Sequence, residues 1–588
     1  MCGIIGQLNL RQPVDSRLFD AMRDTLAHRG PDGYGSWLSA DCRLALGHRR
    51  LAFLDLSAEG RQPMSDCSGS VHITFNGEIY NYRELRQQLT GEGWQFRSQT
   101  DTEVLLYAYR QWGTGMLSRL KGMFAFGLWD EKKRQLLLAR DRFGIKPLYY
   151  GWSDGNFYFA SELKAILRGL PQRPPLRQAS LADFLSYRYI PSPHTIWENF
   201  YKLPPASFLL LSGGQVKVET YWQLRPGSDA PDEQEAAMEV GRLLVKSMHE
   251  HRRSDVPVGN FLSGGYDSSA LTALSVALGY DTRAFSIGFR QWDKSEHLYA
   301  ADTARALGVA LDTTLVGDEQ LALCGQLAYH YDEPLGDIST IPTYMVSQLA
   351  SGHCKAVLSG EGADEIFGGY TWQHAVAGWP AAMARLAQPG RWGRQRVIRH
   401  YAEAMAMGRF GRENLTSILH PRLHTSLPPD SDWFYRRHYL PWQPPLKNVQ
   451  NLDIQTFMSE LVLTKIDRAS MAHSLEVRVP FLDHELVEYM FSLHPSVYYR
   501  PGRTKFLLWK NIRPLLPAAV FERPKQGFVG PDVYYMHIDW YRQQLQQGCL
   551  LADEVIRPEG LAALLQQKSH WHLWKLLVLE KWWQQWMR

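Results

Sequence analysis

Cys2 stands directly after Met1 and is followed by the small residue Gly3. A residue as small as cysteine allows Met1 to be removed, which would make Cys2 the first residue. A free α-amine has a pKa of roughly 7.7–8.0. It can therefore serve as general base for the thiol of its own residue, the arrangement of an N-terminal nucleophile. A second chemistry is carried by Ser263-Gly264-Gly265-Tyr266-Asp267-Ser268-Ser269. Successive N–H groups in a Gly-rich turn between strand and helix form an anion-binding hollow, and the helix N-terminus adds partial positive charge. The hydroxyls suit phosphate oxygens. Asp267 cannot favour phosphate by itself, so a Mg2+ bridging it to pyrophosphate is expected. The lysine-bearing loop G-x-x-x-x-G-K-[ST] does not occur in the sequence. A third segment, Leu358-Ser359-Gly360-Glu361-Gly362-Ala363-Asp364-Glu365, is an acidic loop that leaves another short apolar strand.

Two kinds of scaffold must position these groups. The first part of the chain reads as β-rich, with strands over Val71–Phe75, Phe124–Trp129 and Gln135–Ala139 and helices over Tyr82–Leu89 and Glu103–Trp112. The second part alternates. Strand Val258–Leu262 leads to helix Ser268–Leu278, strand Arg283–Phe289 to helix Glu296–Leu307, and strand Lys355–Leu358 to the acidic loop. That order predicts a parallel sheet with helices on both faces. After about residue 370 the pattern is mostly helical. A polar tract, Arg225–Gln234, reads as a linker, so domains are expected over 2–210 and 225–588.

The 588 residues are 45% apolar and 21% charged, enough to bury large cores. Lys plus Arg is 64 against 60 Asp plus Glu, a net charge of +4 that is too weak to indicate nucleic acid or a membrane surface as partner. The six cysteines contain no C-x-x-C pair and do not form a disulfide framework. No run approaches the roughly 18 apolar residues of a membrane span, and the first residues lack a basic segment of the secretory type. A reducing cytoplasm is expected. The Trp-rich segment His570–Arg588 reads as a helix docked by its aromatic face.

Four further motifs accompany Cys2-Gly3-Ile4. They are His28-Arg29-Gly30-Pro31-Asp32-Gly33, Gly47-His48-Arg49-Arg50-Leu51, Asn76-Gly77-Glu78-Ile79-Tyr80-Asn81 and Thr100-Asp101-Thr102-Glu103. In order and spacing the set resembles class II glutamine amidotransferase domains over roughly the first 165 residues. The resemblance implies an α+β N-terminal-nucleophile hydrolase sandwich, with antiparallel sheets between helices. It assigns the oxyanion to Asn76 and the N–H of Gly77, although an Asn-Gly pair also suits a tight hairpin turn. It gives the glutamine α-carboxylate to Arg50 and the α-ammonium to Glu78 and Asp101.

S-G-G-x-D-S resembles the pyrophosphate loop of ATP pyrophosphatases, and Leu358–Tyr370 resembles the corresponding segment of asparagine synthetases. This implies an ATP site of Leu262, Ser263, Gly264, Gly265, Asp267, Ser268, Ser269, Ile287, Ser359 and Gly360. Asp267 and Asp364 would hold Mg2+, Glu361 would lie near the reacting acyl group, and Lys525 would face the phosphates. Lys465–Arg468 and Leu475–Asp483, with Arg478, also match the synthetase domain. The whole resembles the glutamine-hydrolysing asparagine synthetase family. Its expected reaction uses glutamine, ATP and a carboxylate acceptor. Cys2 releases ammonia, the acceptor is adenylated, and ammonia displaces AMP.

The acceptor expected first is aspartate. The alternative is a uronic acid sugar, free or nucleotide-linked, because Tyr266 stands where asparagine synthetases usually carry Leu or Ile and the segment Asp332–Tyr344 resembles synthetase-like proteins of surface-polysaccharide pathways. A homodimer is one oligomeric option. A non-catalytic descendant would have lost Cys2, Asp267 or Asp364, and all three are present.

Overall fold

The computed structural model describes residues 2–290, 292, 294–377, 391–523 and 530–588. The N-terminal half contains two six-stranded antiparallel sheets. The strands are β1 (Gly3–Asn9), β2 (Gly33–Leu38), β3 (Leu44–Arg50), β4 (Met64–Ser65), β5 (Val71–Ile79), β6 (Gly122–Asp130), β7 (Gln135–Arg140), β8 (Tyr149–Ser153), β9 (Asn156–Ala160), β10 (Phe200–Lys202), β11 (Ser207–Ser212) and β12 (Gln215–Thr220). One sheet runs β10-β8-β9-β1-β3-β2 and the other β12-β11-β7-β6-β5-β4.

Side chains alternate between the faces of a strand, and this places the layers. Ile4 of β1 and Ala125 of β6 meet in the core between the sheets. Phe124 and Phe126 face away from it, onto helices Tyr82–Gly91 and Asp101–Trp112. Ile5 faces the helix Ser16–Asp24 side. The result is a sandwich of helix, sheet, sheet and helix. The second sheet continues to Thr220, because β12 pairs with β11 beyond residue 210.

The C-terminal half is built on a parallel sheet of β13 (Val258–Phe261), β14 (Arg283–Phe289), β15 (Ala310–Val316), β16 (Ala356–Leu358) and β17 (Glu476–Arg478). Its order is β15-β14-β13-β16-β17. The chain winds outward from β13 to β15, then restarts beside β13 with β16. The carboxyl ends of β13 and β16 therefore flank a topological switch point, the usual place for a ligand crevice in such sheets. The register Asn260↔Leu358 sets the Ser263 loop and the Ser359 loop side by side.

The halves meet across buried ion pairs. Arg29 bonds Glu162 at 2.8 Å and Asp467 at 2.9 Å, while Arg468 lies 2.8 Å from Glu162 and 3.4 Å from Asp332. Lys164 pairs with Asp332 at 2.9 Å and with Glu162. Three cations thus face three anions, and removing any one strands its partner at a cost of about 3–5 kcal/mol. Burial works to raise the Glu162 carboxyl, but Lys164, His28 and Arg468 hold it well below the usual carboxylate range.

The terminal helix His570–Trp586 seals the same region. The indole N–H groups of Trp582 and Trp586 donate to the carbonyls of Asp332 (2.7 Å) and Ala328 (2.9 Å). No helix among the described residues is long and apolar enough to cross a membrane.

Candidate functional site

Cys2 directly precedes β1 and is buried. Its N–H donates to Asn76 Oδ1 at 2.9 Å, and its carbonyl accepts Arg29 Nε at 3.1 Å. Burial pushes the thiol up, against the lowering field of the chain terminus and of Arg50. Asn76 is fully buried in β5, and its Nδ2 has no partner among the described residues. A buried amide N–H2 beside a nucleophile, left unsatisfied by protein, is suited to an oxyanion.

The strand does not turn at Asn76-Gly77. It continues to Ile79, with Asn76 opposite Ala125 and Gly77 opposite Phe124. Gly77 has φ +150°, and a Cβ there would lie 2.0 Å from the Met123 carbonyl oxygen, so only glycine carries the strand through.

Arg50 ends β3 and folds back on the following loop. Its guanidinium donates to the carbonyls of Ser57 (3.0 Å), Asp55 (2.5 Å) and Leu54 (3.4 Å). These neutral acceptors fix its plane without cancelling its charge, which leaves it suited to a carboxylate. Asp101 is the first residue of helix Asp101–Trp112. Thr100 Oγ1 caps that helix by accepting the Glu103 N–H. Asp101 Oδ2 accepts the Ile79 N–H at 2.9 Å, and burial pushes its carboxyl up to about 6 against that bond. Burial likewise raises Glu78, opposed by Arg478 at 3.6 Å.

Arg478 belongs to β17 of the other half. It is completely buried, and its Nε bonds Glu476 at 2.5 Å while Nη1 bonds the carbonyls of His251 and Arg253. Its own carbonyl accepts the Ser359 N–H at 2.9 Å. One residue therefore touches the loop of the second site through its backbone and Glu78 of the first through its side chain. Nothing local in the sequence around Arg478 announces this double contact, since strand pairing across the sheet has no local signature.

The second site is a cavity of about 560 Å³ at the switch point. Ser263 Oγ accepts the Gly265 N–H at 3.2 Å, and Ser268 Oγ accepts the Ser263 N–H at 3.1 Å, curling the loop onto the N-terminus of helix Tyr266–Ala277. Gly264 has φ +77°, and a Cβ there would meet the Ala300 nitrogen at 2.4 Å. Of the expected ATP residues, Leu262, Ser263, Gly264, Gly265, Asp267, Ser268, Ser359 and Gly360 line the cavity, as do Glu361 and Asp364. Ser269 is buried within helix Tyr266–Ala277 and does not line the cavity. Ile287 is buried in β14, where its neighbours Phe285 and Ser286 reach the cavity instead. Lys525 lies outside the described residues.

One cavity residue had no sequence signal at all. Lys505 Nζ sits 2.5 Å from Asp267 and 2.7 Å from Asp364 and is buried. The two carboxylates converge on a single cation position, although their sequence separation is large. Two carboxylates beside a Gly-rich loop of backbone N–H groups also fit Mg2+, which is held by one or two carboxylates together with substrate phosphates. Glu361 presents a buried Oε2 without a partner among the described residues. Burial raises Glu296, also on the wall, to about 8.

A buried cysteine site for an amide and a phosphate-binding cavity on one chain define a glutamine amidotransferase that is an ATP-dependent ligase. The chain belongs to the asparagine synthase family: the asparagine synthase model matches residues 239–586, and a glutamine amidotransferase domain model matches residues 1–222. It is 32% identical to an asparagine synthetase (glutamine-hydrolysing) of Bacillus subtilis, with 99% of this chain and 96% of that protein covered. A putative asparagine synthetase of Mycobacterium tuberculosis is 33% identical over 87% of this chain and 83% of that protein. An amidase of Gibberella zeae is 31% identical over 87% and 84% respectively.

Proposed function

We propose that the protein makes asparagine from aspartate, using ammonia released from glutamine at Cys2. The observation that favours aspartate is the size of the cavity. About 560 Å³ must hold ATP and the acceptor together, and a single drug-sized ligand already takes about 300–1,000 Å³. A small acceptor fits beside ATP more readily than a nucleotide-linked sugar.

In this reading the Cys2 thiol attacks the glutamine amide carbon, the C–N bond breaks to release ammonia, and water hydrolyses the resulting thioester to glutamate and the free thiol. Asn76 Nδ2 and the Gly77 N–H receive the oxyanion, Arg50 holds the α-carboxylate, and Glu78 and Asp101 receive the α-ammonium. In the cavity the Ser263–Ser268 loop binds pyrophosphate through its N–H and hydroxyl groups. Asp267 and Asp364 would hold Mg2+, which neutralises phosphate charge when bound. Glu361 faces the reacting carbonyl. Adenylation is required because a carboxylate is a poor electrophile. The acceptor oxygen bonds the α-phosphorus, pyrophosphate leaves, and ammonia then displaces AMP from the acyl carbon.

The acceptor is tested by supplying ATP, Mg2+ and glutamine with either aspartate or UDP-uronic acids, and measuring pyrophosphate and glutamate. Aspartate should stimulate pyrophosphate release. Stimulation by a uronate alone would replace the proposed acceptor with the sugar.

A pH dependence follows from Asp101. Burial pushes its carboxyl up to about 6, against the Ile79 N–H bond that favours the charged form, so the charged form prevails above that pH and the neutral form below it. Affinity for the glutamine ammonium should therefore be present above pH 6 and lost as pH falls. Calorimetry on the Cys2→Ala protein should give a glutamine Kd about tenfold weaker at about pH 5 than at about pH 7.5. A Kd flat across that range would remove Asp101 from ammonium binding.

A further inference from the structure

We propose that Arg188, contributed by the N-terminal half, is the acceptor-recognition residue of the C-terminal cavity, receiving the α-carboxylate of an amino-acid acceptor while Asp337 beside it receives the α-ammonium. The inference rests on the reading that the cavity adenylates a small carboxylic acid, and it names what holds the other end of that acid.

The backbone of Arg188 is fixed before any ligand arrives. The residue caps helix Gln178–Tyr187 in a left-handed conformation, φ +74°, with its N–H donating to the Phe184 carbonyl. Its own carbonyl accepts the Gly336 N–H at 2.8 Å. A non-glycine residue in that region is uncommon and persists where its surroundings determine it. The Gly336 bond ties it to the segment that carries Asp337.

The side chain is only 5% exposed and lines the cavity that also contains Ser263, Gly360, Glu361 and Asp364. A guanidinium has five N–H donors. Here Nε has no partner among the described residues, and Nη1 donates at 2.8 Å to the Met407 thioether sulfur, a weak acceptor. The nearest carboxylate, Asp337 Oδ2, is 4.0 Å away, and the Phe457 ring centroid lies 5.6 Å from the guanidinium carbon. A buried, rigid cation with unfilled donors at the wall of a substrate cavity calls for a ligand oxygen. A carboxylate supplies two in the geometry the fork prefers.

Asp337 completes the pair. Its Oδ1 is occupied by the Ser339 N–H and hydroxyl, at 2.7 and 2.5 Å. Lys465 Nζ bonds Ser339 Oγ at 2.9 Å behind it, which leaves Oδ2 as the oxygen toward Arg188. A cation and an anion at 4.0 Å complement the two charges of an α-amino acid. Because one charge comes from each half, the acceptor end of the cavity is incomplete without the N-terminal half.

The test compares L-aspartate with its α-amide, which keeps the reacting β-carboxylate and ammonium but loses the α-carboxylate charge. Pyrophosphate release is measured with ATP and ammonium chloride, so that glutamine hydrolysis plays no part. Wild-type kcat/KM should favour aspartate over the α-amide by about 10–100-fold. Arg188→Met should raise the KM for aspartate by about that factor, with a smaller effect on kcat, and reduce the preference to about threefold or less. The KM for ATP separates this from general damage to the cavity and should move by about threefold at most. Arg188→Lys keeps the charge without the fork and should fall between the two. It also serves if the methionine variant does not fold. A full wild-type preference in Arg188→Lys or Arg188→Met would overturn the assignment. A wild-type enzyme that ignores aspartate and uses a uronate would overturn the acceptor itself, with no variant needed.

Discussion

Cys2→Ala should abolish glutamine-dependent synthesis, by about 10³-fold or more, while ammonia-dependent synthesis survives. The split follows from the placement of the two sites. Cys2 directly precedes β1 and bonds Asn76 of β5 and Arg29, while the cavity is built on β13 and β16 of a separate sheet. Removing one sulfur atom takes away the proposed nucleophile but leaves Asp267, Asp364 and the Ser263–Ser268 loop in place. Alanine keeps the Cβ and the N–H that donates to Asn76, so the packing change is small. Assays with glutamine and with ammonium chloride, each read as product per pyrophosphate, separate the two outcomes. Loss of both activities in a folded protein would show that the halves do not act as two sites.

Asp267→Asn should give the reverse pattern. Glutamine hydrolysis should persist, while ATP-dependent chemistry falls by about 10²–10³-fold, the scale of losing one preorganised electrostatic contact to a transition state. Asp267 is one of two carboxylates facing the position that Lys505 fills here, and an amide keeps its shape while removing its charge. Measuring acceptor-dependent pyrophosphate release and glutamate release on the same sample is the check. An unchanged pyrophosphate yield would remove Asp267 from phosphate chemistry.

The parts of both sites that lie within one strand-to-loop unit were legible in the sequence. Ser263–Ser268 and Ser359–Asp364 each follow a short apolar strand, and the register of β13 with β16 brings them together as the alternating pattern implied. Boundaries moved where caps decided them. Helix Asp101–Trp112 begins two residues before the expected Glu103, because the Thr100 hydroxyl closes its first turn. β5 outran its expected end at Phe75, because Gly77 adopts a backbone conformation that keeps it in the ladder.

What could not be read are contacts between segments hundreds of residues apart. Lys505 reaches Asp267 from a Gly-Arg-Thr-Lys turn that resembles any surface loop. Arg478 meets Glu78 only because β17 pairs with β16. Arg188 sits at a helix end whose left-handed turn has no glycine to announce it. The π-helix Asp453–Val462, which places Phe457 and Val462 on the cavity wall, likewise has no compositional mark.

The central claim is that the acceptor carboxylate is activated by bonding to the α-phosphorus of ATP. Aspartate labelled with ¹⁸O in its β-carboxylate, turned over with ATP, Mg2+ and glutamine, tests this by mass spectrometry of the nucleotide products. The account predicts one label in AMP for each asparagine formed. Label in inorganic phosphate, accompanied by ADP, would contradict it.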